Sequence, residues 1–250
     1  MGLKKGFKKL CFILLIPLGF LLSYLATLNP NAVENLYSNG LYKVIVTPLN
    51  IISGLFPFSL GELLLISFII LVLVHLVRLI VRLFKTPSQI KKFLSDAVLN
   101  IVVVVSLLYF TFVIAWGLNY QRLPFSQIAG LKVEPATVDE LAAVCENLLE
   151  QAKELRNYVS ENNEGVMVLP AGKRDVLKRA HLGYEKASLQ YPELGGIYSR
   201  PKGVFISEIM SYLGIEGIYS IYTAEANVNT SIQDVTFPFT TCHEMAHQRG

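Results

Sequence analysis

The sequence predicts an α-helical membrane protein with three transmembrane helices that continues into an α+β domain. Two observations predict this fold class. The 250 residues are 52% hydrophobic and 16% charged, whereas soluble domains carry about 25% charged residues. The large apolar residues also concentrate in the first half of the chain, and the second half has the mixed composition of a soluble domain. We therefore predict a membrane region over residues 1–118 and a soluble domain over residues 119–250.

Three apolar runs in the membrane region have the length of a spanning helix, about 20 residues. They cover residues 11–28, 60–83 and 97–117, to within a few residues. Because the first run has a long apolar core and no small-residue cleavage site follows it, we interpret it as a membrane anchor rather than a cleaved signal peptide. Residues 29–59 are predicted either to lie on the membrane surface or to form a connector packed on the helices.

Basic residues flank the apolar runs on one side only, and this asymmetry predicts the topology. They precede the first run and join the second to the third, whereas residues 29–59 contain only Lys43. The basic residues are Lys4, Lys5, Lys8, Lys9, Arg82, Lys85, Lys91 and Lys92. Because cytoplasmic loops carry an excess of Lys and Arg, we predict a multi-pass protein of the cytoplasmic membrane. Its N-terminus is cytoplasmic and its C-terminal domain is extracytoplasmic.

The soluble domain is predicted to contain two amphipathic helices and two strands. Thr137 and Glu140 form the capping-box pattern that starts a helix, and a second helix is predicted over residues 173–190. Apolar residues of the first helix follow at helical spacing, and they are Leu141, Val144, Leu148, Ala152, Leu155 and Val159. Downstream, "GVFIS" and "GIYSIYT" are predicted as strands. Between them "SEIMSYLG" is predicted as a short helix, with Ser207 as its cap and Gly214 as its end.

The pattern "HEMAH", from His243 to His247, is typical of a zinc site on a helix. Histidines four residues apart lie on one helix face, with Cβ atoms about 5–6 Å apart, and catalytic zinc takes three protein ligands. We therefore predict His243 and His247 as ligands of Zn²⁺ and Glu244 as the catalytic base that accepts a proton from the attacking water. Chance produces this pattern only about 0.004 times in a chain of this composition. The alternative is a helix whose histidines and glutamate merely face solvent.

The sequence gives no third metal ligand at a standard position. Glu225 is the first candidate, as a ligand or as a substrate contact, although a carboxylate near a strand end is more often a hydrogen-bond anchor. Weaker candidates are Asp234, Glu208, Glu216 and His181. Because the large classes of such proteases place their third ligand after the motif, we expect the chain to be truncated, its site incomplete and this 250-residue form inactive.

Other classes of function find less support in the sequence. The sequence contains no stripe of basic residues interleaved with aromatic residues, and it therefore does not indicate nucleic acid as a partner. Three cysteines, Cys11, Cys145 and Cys242, are too few for a disulfide framework, although a Cys145–Cys242 bridge is possible. His75 inside the second run is compatible with a transporter or channel. A histidine one turn from Arg78 is, however, more often an interfacial residue. Spans with so few polar residues also offer little pathway for an ion or a solute.

Several segments resemble a known family. The stretches "WGLNYQR", "PKGVFIS", "GIEGIYSIYTAEANVN" and "PFTTCHEMAHQRG" are similar to the signature of the bacterial domain-of-unknown-function family 3810 over essentially the whole chain. The resemblance implies three membrane helices followed by an extracytoplasmic α+β domain that is zincin-like and, in this chain, incomplete. It implies His243 and His247 as metal ligands and Glu244 as the base, and it marks Glu225 and Asn227 as motif residues of unknown role.

These observations together lead us to expect a membrane-anchored, zinc-dependent metallopeptidase. It would hydrolyse peptide bonds at the outer face of the cytoplasmic membrane, with the lipid bilayer and a peptide or protein substrate as its partners. The alternative is a non-catalytic membrane protein whose extracytoplasmic domain serves binding or envelope assembly, with a metal that is structural or absent. A closed site with four protein ligands would favour this alternative, because catalytic zinc keeps one position open.

Overall fold

The structure of the chain is a computed structural model that describes residues 9–249. The chain divides into two compact units. The first comprises the chain up to Leu123 together with Tyr219–Glu225 and the residues from His247, and the second comprises Pro124–Ile218 and Ala226–Ala246. Lys4, Lys5 and Lys8 of the predicted cytoplasmic flank lie outside the described residues.

The first unit is helical. Its longer α-helices are α1 (Leu15–Thr27), α2 (Tyr42–Gly54), α3 (Leu60–Lys85) and α4 (Ile90–Ala115). Shorter helical segments join them: a single turn (Pro30–Ala32), a π-helix (Val33–Leu41) and 3-10 helices (Pro87–Gln89 and Gly117–Gln121). Helix α3 begins at Leu60 because the Ser59 hydroxyl accepts the Glu62 N–H at 2.9 Å and so caps its first turn.

Three helical segments within residues 9–249 are long and apolar enough to cross a membrane: Lys9–Thr27, Leu60–Lys85 and Pro87–Ala115. They confirm the three predicted runs and are consistent with a multi-pass membrane protein. The third segment begins earlier than predicted, because the helix continues through the polar residues that precede Ala97. In the second segment, His75 donates from Nδ1 to the Leu71 carbonyl at 2.8 Å.

Aromatic side chains build the core of the first unit. Tyr42 and Trp116 are buried, with ring centroids 6.1 Å apart, and Tyr219 packs on Trp116 at 5.1 Å. Glu34 and Arg122 form an ion pair at 2.8 Å beside this core. Residues 29–59 are therefore helical for most of their length and are packed on the first unit through Tyr42, as the connector alternative predicted.

The second unit combines helices with strand residues 202–203, 217–218 and 226–228. Its longer α-helices are α5 (Val138–Arg156), α6 (Gly172–Ala187), α7 (Ser207–Tyr212) and α8 (Phe237–Ala246), with short segments at Phe125–Ile128 and Pro192–Leu194. The predicted capping box of α5 is present, since Thr137 and Glu140 each bond the other's backbone N–H. The Tyr184 hydroxyl on α6 donates to the Cys242 carbonyl on α8 at 2.6 Å, which fixes these two helices against each other.

The strands are β1 (Lys202–Gly203), β2 (Gly217–Ser220) and β3 (Glu225–Val228), and the described residues form a sheet of order β1-β3-β2. Strands β1 and β3 run parallel, with Lys202 opposite Asn227 and Gly203 opposite Val228. Strand β2 therefore lies at one edge. The two predicted strands are shorter than expected, and β3 was not predicted as a strand.

One local prediction was wrong. Ser207 is the first residue of α7 rather than its cap, because its hydroxyl donates to the Val204 carbonyl at 2.7 Å and accepts the Thr230 N–H at 2.9 Å. These bonds turn the chain after Val204, so that "GVFIS" does not continue as a strand. The Cys145–Cys242 bridge is not formed, since both thiols are free. The end of α7 was predicted correctly, because Gly214 follows it with φ of 69°.

Candidate functional site

Helix α8 carries the first two residues of the motif. It begins at Phe237, and Pro238 at its second position is compatible with a helix start because the first N–H groups of a helix have no intrahelical partner. His243 is exposed and Glu244 is buried, so consecutive residues point to different environments. The ring of Phe239, one turn earlier, lies 6.1 Å from the His243 ring.

His243 and Glu244 line a pocket of about 420 Å³ in the second unit. The other walls come from the end of α7, from the start of β2 and from the first turn of α8. These lining residues are Gly214, Ile215, Glu216, Gly217, Phe239 and Thr240. The Thr240 hydroxyl donates to the Glu216 carboxylate at 2.9 Å, which joins two walls of the pocket. The pocket thus combines an apolar surface from Ile215 and Phe239 with the imidazole and carboxylate of the motif.

The Glu244 carboxyl group lies in an environment that disfavours its charge. The residue is 6% exposed, and no hydrogen bond to its side chain occurs among residues 9–249. Burial raises the pKa of Glu244 from its ordinary value of 4.5 to about 7, because desolvation penalises the carboxylate. A carboxyl group with a pKa near neutrality can both accept and donate a proton under physiological conditions.

Gly217 is the closest neighbour of this carboxyl group across the pocket. A Cβ atom placed on Gly217 would lie 2.5 Å from Cγ and 2.7 Å from Oε1 of Glu244. No side chain other than the glycine hydrogen fits there without moving Glu244. The start of the edge strand β2 therefore passes directly against the glutamate, with its backbone rather than a side chain facing the carboxyl group.

His247 belongs to the first unit, where the helical chain tightens after Ala246 into a 3-10 turn, His247–Arg249. Its ring lies 5.5 Å from the Trp116 ring and 6.1 Å from the Tyr219 ring, measured between centroids. The Tyr42 hydroxyl donates to the His247 carbonyl at 3.2 Å. The second predicted ligand is thus held at its backbone and flanked by aromatic rings within its own unit.

Glu225 is bonded to a helix terminus. It is fully buried, and its two carboxylate oxygens accept the N–H groups of Leu60 at 3.1 Å and Gly61 at 2.7 Å. These are the first two N–H groups of α3, which have no partner inside the helix. A carboxylate at this position also interacts favourably with the positive end of the helix dipole. The hydrogen-bond anchor considered for Glu225 is therefore observed, and its role as a metal ligand or substrate contact stays a prediction.

The weaker candidates for the third ligand also have structural partners. Glu208 accepts the Ser231 hydroxyl at 2.6 Å, Glu216 accepts that of Thr240, and Asp234 accepts the Leu169 N–H at 2.9 Å. His181 is half-buried on α6, and its Nδ1 atom has no hydrogen-bond partner among the described residues. Within residues 9–249, no three His, Cys, Asp or Glu side chains are grouped closely enough to hold a metal ion.

Sequence reasoning missed Gly217 and the pocket that it borders. One signal for Gly217 was present, because a glycine inside a strand pattern often marks a close approach of backbone to another group. The partner of that approach lies 27 positions further along the chain, and no local pattern identifies it. The hydrogen bonds from α3 to Glu225 could not be predicted from the sequence either, since they join residues separated by more than 160 positions.

Comparisons with known proteins add a family. A family model described as a protein of unknown function, DUF3810, matches residues 37–250. No curated protein and no solved structure matches the chain. The match covers the part of the chain that includes α2 to α8 and all residues of the candidate site.

Proposed function

This chain belongs to the DUF3810 family of proteins of unknown function, and from its candidate site we propose that it is a membrane-anchored, zinc-dependent metallopeptidase. It hydrolyses peptide bonds at the outer face of the cytoplasmic membrane, where its zincin-like α+β domain is held by the bilayer-spanning helices. The observation that carries the proposal is the Glu244 carboxyl group. It is buried without a hydrogen-bond partner in the described chain, next to His243 and at the wall of a pocket.

His243 and His247 carry the type of donor atom that zinc prefers. Imidazole nitrogens are common zinc ligands, and catalytic sites use three protein ligands with one open position. His243 and His247 have the spacing of two such ligands, and they suit the metal in donor type. Residues 9–249 supply no group of three ligands, so the proposal requires a third ligand in addition to these two histidines.

Zinc held by these histidines would supply Lewis-acid chemistry, polarising the carbonyl of the scissile peptide bond. Glu244 does the proton transfer. As a carboxylate it accepts a proton from the water that attacks the carbonyl carbon, and as a carboxylic acid it returns the proton to the nitrogen of the leaving amine. The low polarity around Glu244 suits both steps, because it holds the pKa of the group near 7.

The walls of the pocket favour an extended peptide as the substrate. Strand β2 lies at the edge of the sheet, and extended peptides bind such edges by adding a strand through main-chain hydrogen bonds. Gly217 has no side chain that would keep a peptide away from Glu244. Ile215 and the exposed ring of Phe239 offer an apolar surface for one side chain of the substrate.

Metal content and hydrolysis together test the proposal. The protein, purified from native membranes in detergent, should contain about one zinc per chain, and His243→Ala and His247→Ala should each lose it. Glu244→Gln should retain zinc and lose peptide hydrolysis by about a hundredfold or more, measured by mass spectrometry on a peptide library. Glu185→Gln is the matched control, because Glu185 is exposed on α6 and does not line the pocket. A parent protein without zinc, or a Glu244→Gln variant that cleaves as well as the parent, would overturn the proposal.

A second candidate function is a non-catalytic binding or envelope-assembly domain. Helix α5 favours it, because its apolar residues are exposed and available to another molecule. If this candidate is correct, a metal is bound with four protein ligands or is absent, and Glu244→Gln has no effect on any hydrolysis. The zinc and hydrolysis measurements above therefore separate the two candidates.

A further inference from the structure

Helix α5 is exposed along its whole length. None of its 19 residues is buried, and the leucines Leu141, Leu148 and Leu155 are 61%, 58% and 62% exposed. A helix of this length is only marginally stable alone in water, since most helical stability in proteins comes from packing of an apolar face. Residues 9–249 thus do not provide the packing that would stabilise the apolar face of α5.

Six exposed apolar residues of α5 recur with a seven-residue period, and the exposed Val144 and Leu149 lie on the positions that flank them. Leucines occupy one position of the heptad, at 141, 148 and 155, and Val138, Cys145 and Ala152 occupy the position three residues before each leucine. These are the d and a positions of a coiled-coil seam. All of the acidic residues and Lys153 fall on the other positions that face away from the seam, and they are Asp139, Glu140, Glu146, Glu150 and Glu154. The seam itself carries no charge.

From this pattern we propose that α5 of one chain pairs with α5 of a second copy of the same chain, in antiparallel orientation. In an antiparallel pair each a residue faces a d residue of the other helix. Leu141 then faces the partner copy's small alanine at position 152, and Leu148 faces its cysteine at position 145. Every layer of the seam therefore joins a leucine to a smaller residue, which fills the space evenly. A parallel pair would instead place small residues against each other at 145 and 152.

The charges of α5 favour the same orientation. Its first turn carries Asp139 and Glu140, and its last turn carries Lys153 and Arg156. Antiparallel pairing brings the acidic turn of one copy level with the basic turn of the other, and it also opposes the two helix dipoles. Parallel pairing would bring like charges together at both ends.

A lipid surface is a poorer occupant of this face. Helices that lie on membranes are rich in Lys and Arg on their polar side, because the lipid headgroups are commonly anionic. Helix α5 has five acidic residues against Lys153 and Arg156. Helix α5 therefore lacks the excess of basic residues that would hold it on an anionic bilayer.

The size of the seam predicts a modest affinity. A helix of 19 residues is about 28 Å long, and its seam contributes far fewer than the roughly 20–30 residues per side of a standard protein interface. The pair should therefore be weak between separate domains in solution. Anchoring both copies in one membrane raises their effective concentration and compensates for a small interface.

Disulfide crosslinking in native membranes tests the pairing and its orientation. In a full-length background with Cys11, Cys145 and Cys242 replaced by alanine, Val138→Cys and Leu155→Cys are introduced together. The two cysteines lie roughly 25 Å apart on one helix, too far for a bridge within it, but they face each other across an antiparallel pair. Oxidation should convert the double variant, and neither single variant, to a covalent dimer.

Two further variants control for chance collisions. Leu148→Asp, added to the double variant, places a charge in the seam and should lower the crosslinked fraction about tenfold or more. Asn147→Asp adds the same side chain on the polar face of α5 and should leave the fraction unchanged. A dimer from Val138→Cys alone would overturn the antiparallel arrangement. Absence of any covalent dimer, or a dimer unaffected by Leu148→Asp, would overturn the second copy as the occupant.

Discussion

Both units bury glutamates, and Glu225 of the first unit differs from Glu244 of the second in what surrounds its carboxyl group. Glu225, in the first unit, is fully buried and accepts two backbone N–H groups from the start of α3. Glu244, in the second unit, is almost as deeply buried and has no hydrogen bond to its side chain within residues 9–249. The same side chain thus accepts backbone hydrogen bonds in one unit and faces a pocket without such bonds in the other.

This difference is the reason that we propose a structural role for Glu225 and a chemical role for Glu244. A buried carboxyl group that accepts two N–H groups of a helix terminus stabilises the fold through these hydrogen bonds. A buried carboxyl group without such partners holds its proton up to a higher pH, and it is free to exchange the proton with a substrate. Burial alone therefore does not distinguish the two glutamates, whereas the hydrogen bonds at their carboxyl groups do.

Each glutamate also depends on a neighbouring glycine. A Cβ atom on Gly61 would lie 2.7 Å from the Ser220 hydroxyl oxygen, beside the N–H that Gly61 donates to Glu225. A Cβ atom on Gly217 would lie 2.5 Å from Glu244. In both units the backbone approaches closely because a side chain is missing, but only at Gly61 does this approach supply a hydrogen bond to the carboxylate.

The largest effect on stability is expected from Glu225→Ala. The substitution leaves the N–H groups of Leu60 and Gly61 without their acceptor at a buried helix start, and hydrogen bonds to a charged group contribute about 1.5–3 kcal/mol each. We expect the free energy of unfolding to fall by about 3–5 kcal/mol. Thermal unfolding in detergent, followed by circular dichroism, measures this change.

The control for Glu225 is Glu225→Gln, which keeps one acceptor oxygen and the shape of the side chain. It should cost less than the alanine variant, because one of the two N–H groups remains bonded. If both variants unfold at the temperature of the parent, the bonds to α3 do not stabilise the first unit, and the contrast with Glu244 loses its basis.

The next effect is a pH dependence that Glu244 imposes on stability. The pKa of this group is raised from 4.5 to about 7 in the folded chain, so the folded state binds its proton more tightly than the unfolded state. Stability therefore decreases as the pH rises from about 4.5 to 7 and then stays level. The loss is about 3 kcal/mol. Glu244→Gln should not show it.

This pH dependence is measured with a chelator present, so that no metal contributes to the charge near Glu244. Unfolding of the parent and of Glu244→Gln is compared at pH 5 and pH 8, and the difference between the two chains isolates Glu244 from the other titrating groups. Equal pH dependence in both chains would mean that water solvates the Glu244 carboxyl group in the folded protein. That outcome would contradict a base whose pKa is raised by burial.

Some features of both units could be predicted from sequence because they depend on neighbours along the chain. The apolar runs predict the three possible spans, the Thr137–Glu140 pattern predicts the start of α5, and Gly214 predicts the end of α7. In each of these cases the interacting residues lie within a few positions of one another. The metal site that the spacing of His243, Glu244 and His247 predicts stays a prediction.

Features that depend on long-range contacts could not be predicted. The environment of Glu225 comes from α3, and the environment of Glu244 comes from Gly217, so their different roles are invisible in the sequence. Ser207 was assigned as a helix cap because its partner Thr230 lies beyond the local window. The exposure of Leu141 and Leu148 could not be predicted either. An apolar helix face predicts that the face is buried, but it does not identify the molecule that buries it.

A smaller effect is expected from Gly217→Ala. The added Cβ must displace the Glu244 side chain or the start of β2, and overpacking of this kind costs about 1–3 kcal/mol. The variant should also impair hydrolysis if Glu244 is the base, because the carboxyl group moves. Gly183→Ala is the matched control in the same unit, since a Cβ at Gly183 meets no atom within 4 Å and should instead stabilise α6 by about 0.5–1 kcal/mol. Identical behaviour of the two variants would contradict the close approach of β2 to Glu244.

The smallest effect is expected from Thr240→Val, which tests whether the pocket wall matters to Glu244. The valine keeps the shape of the side chain but removes the hydroxyl that donates to the Glu216 carboxylate at 2.9 Å. We expect unfolding to become easier by about 1–2 kcal/mol. Because the Glu216 bond joins α8 to the chain just before β2, its loss should loosen the wall around Glu244. The pH dependence of the variant should then be shallower than that of the parent. If stability falls while the pH dependence is unchanged, the burial of Glu244 rests on Gly217 and the packing of α8 alone.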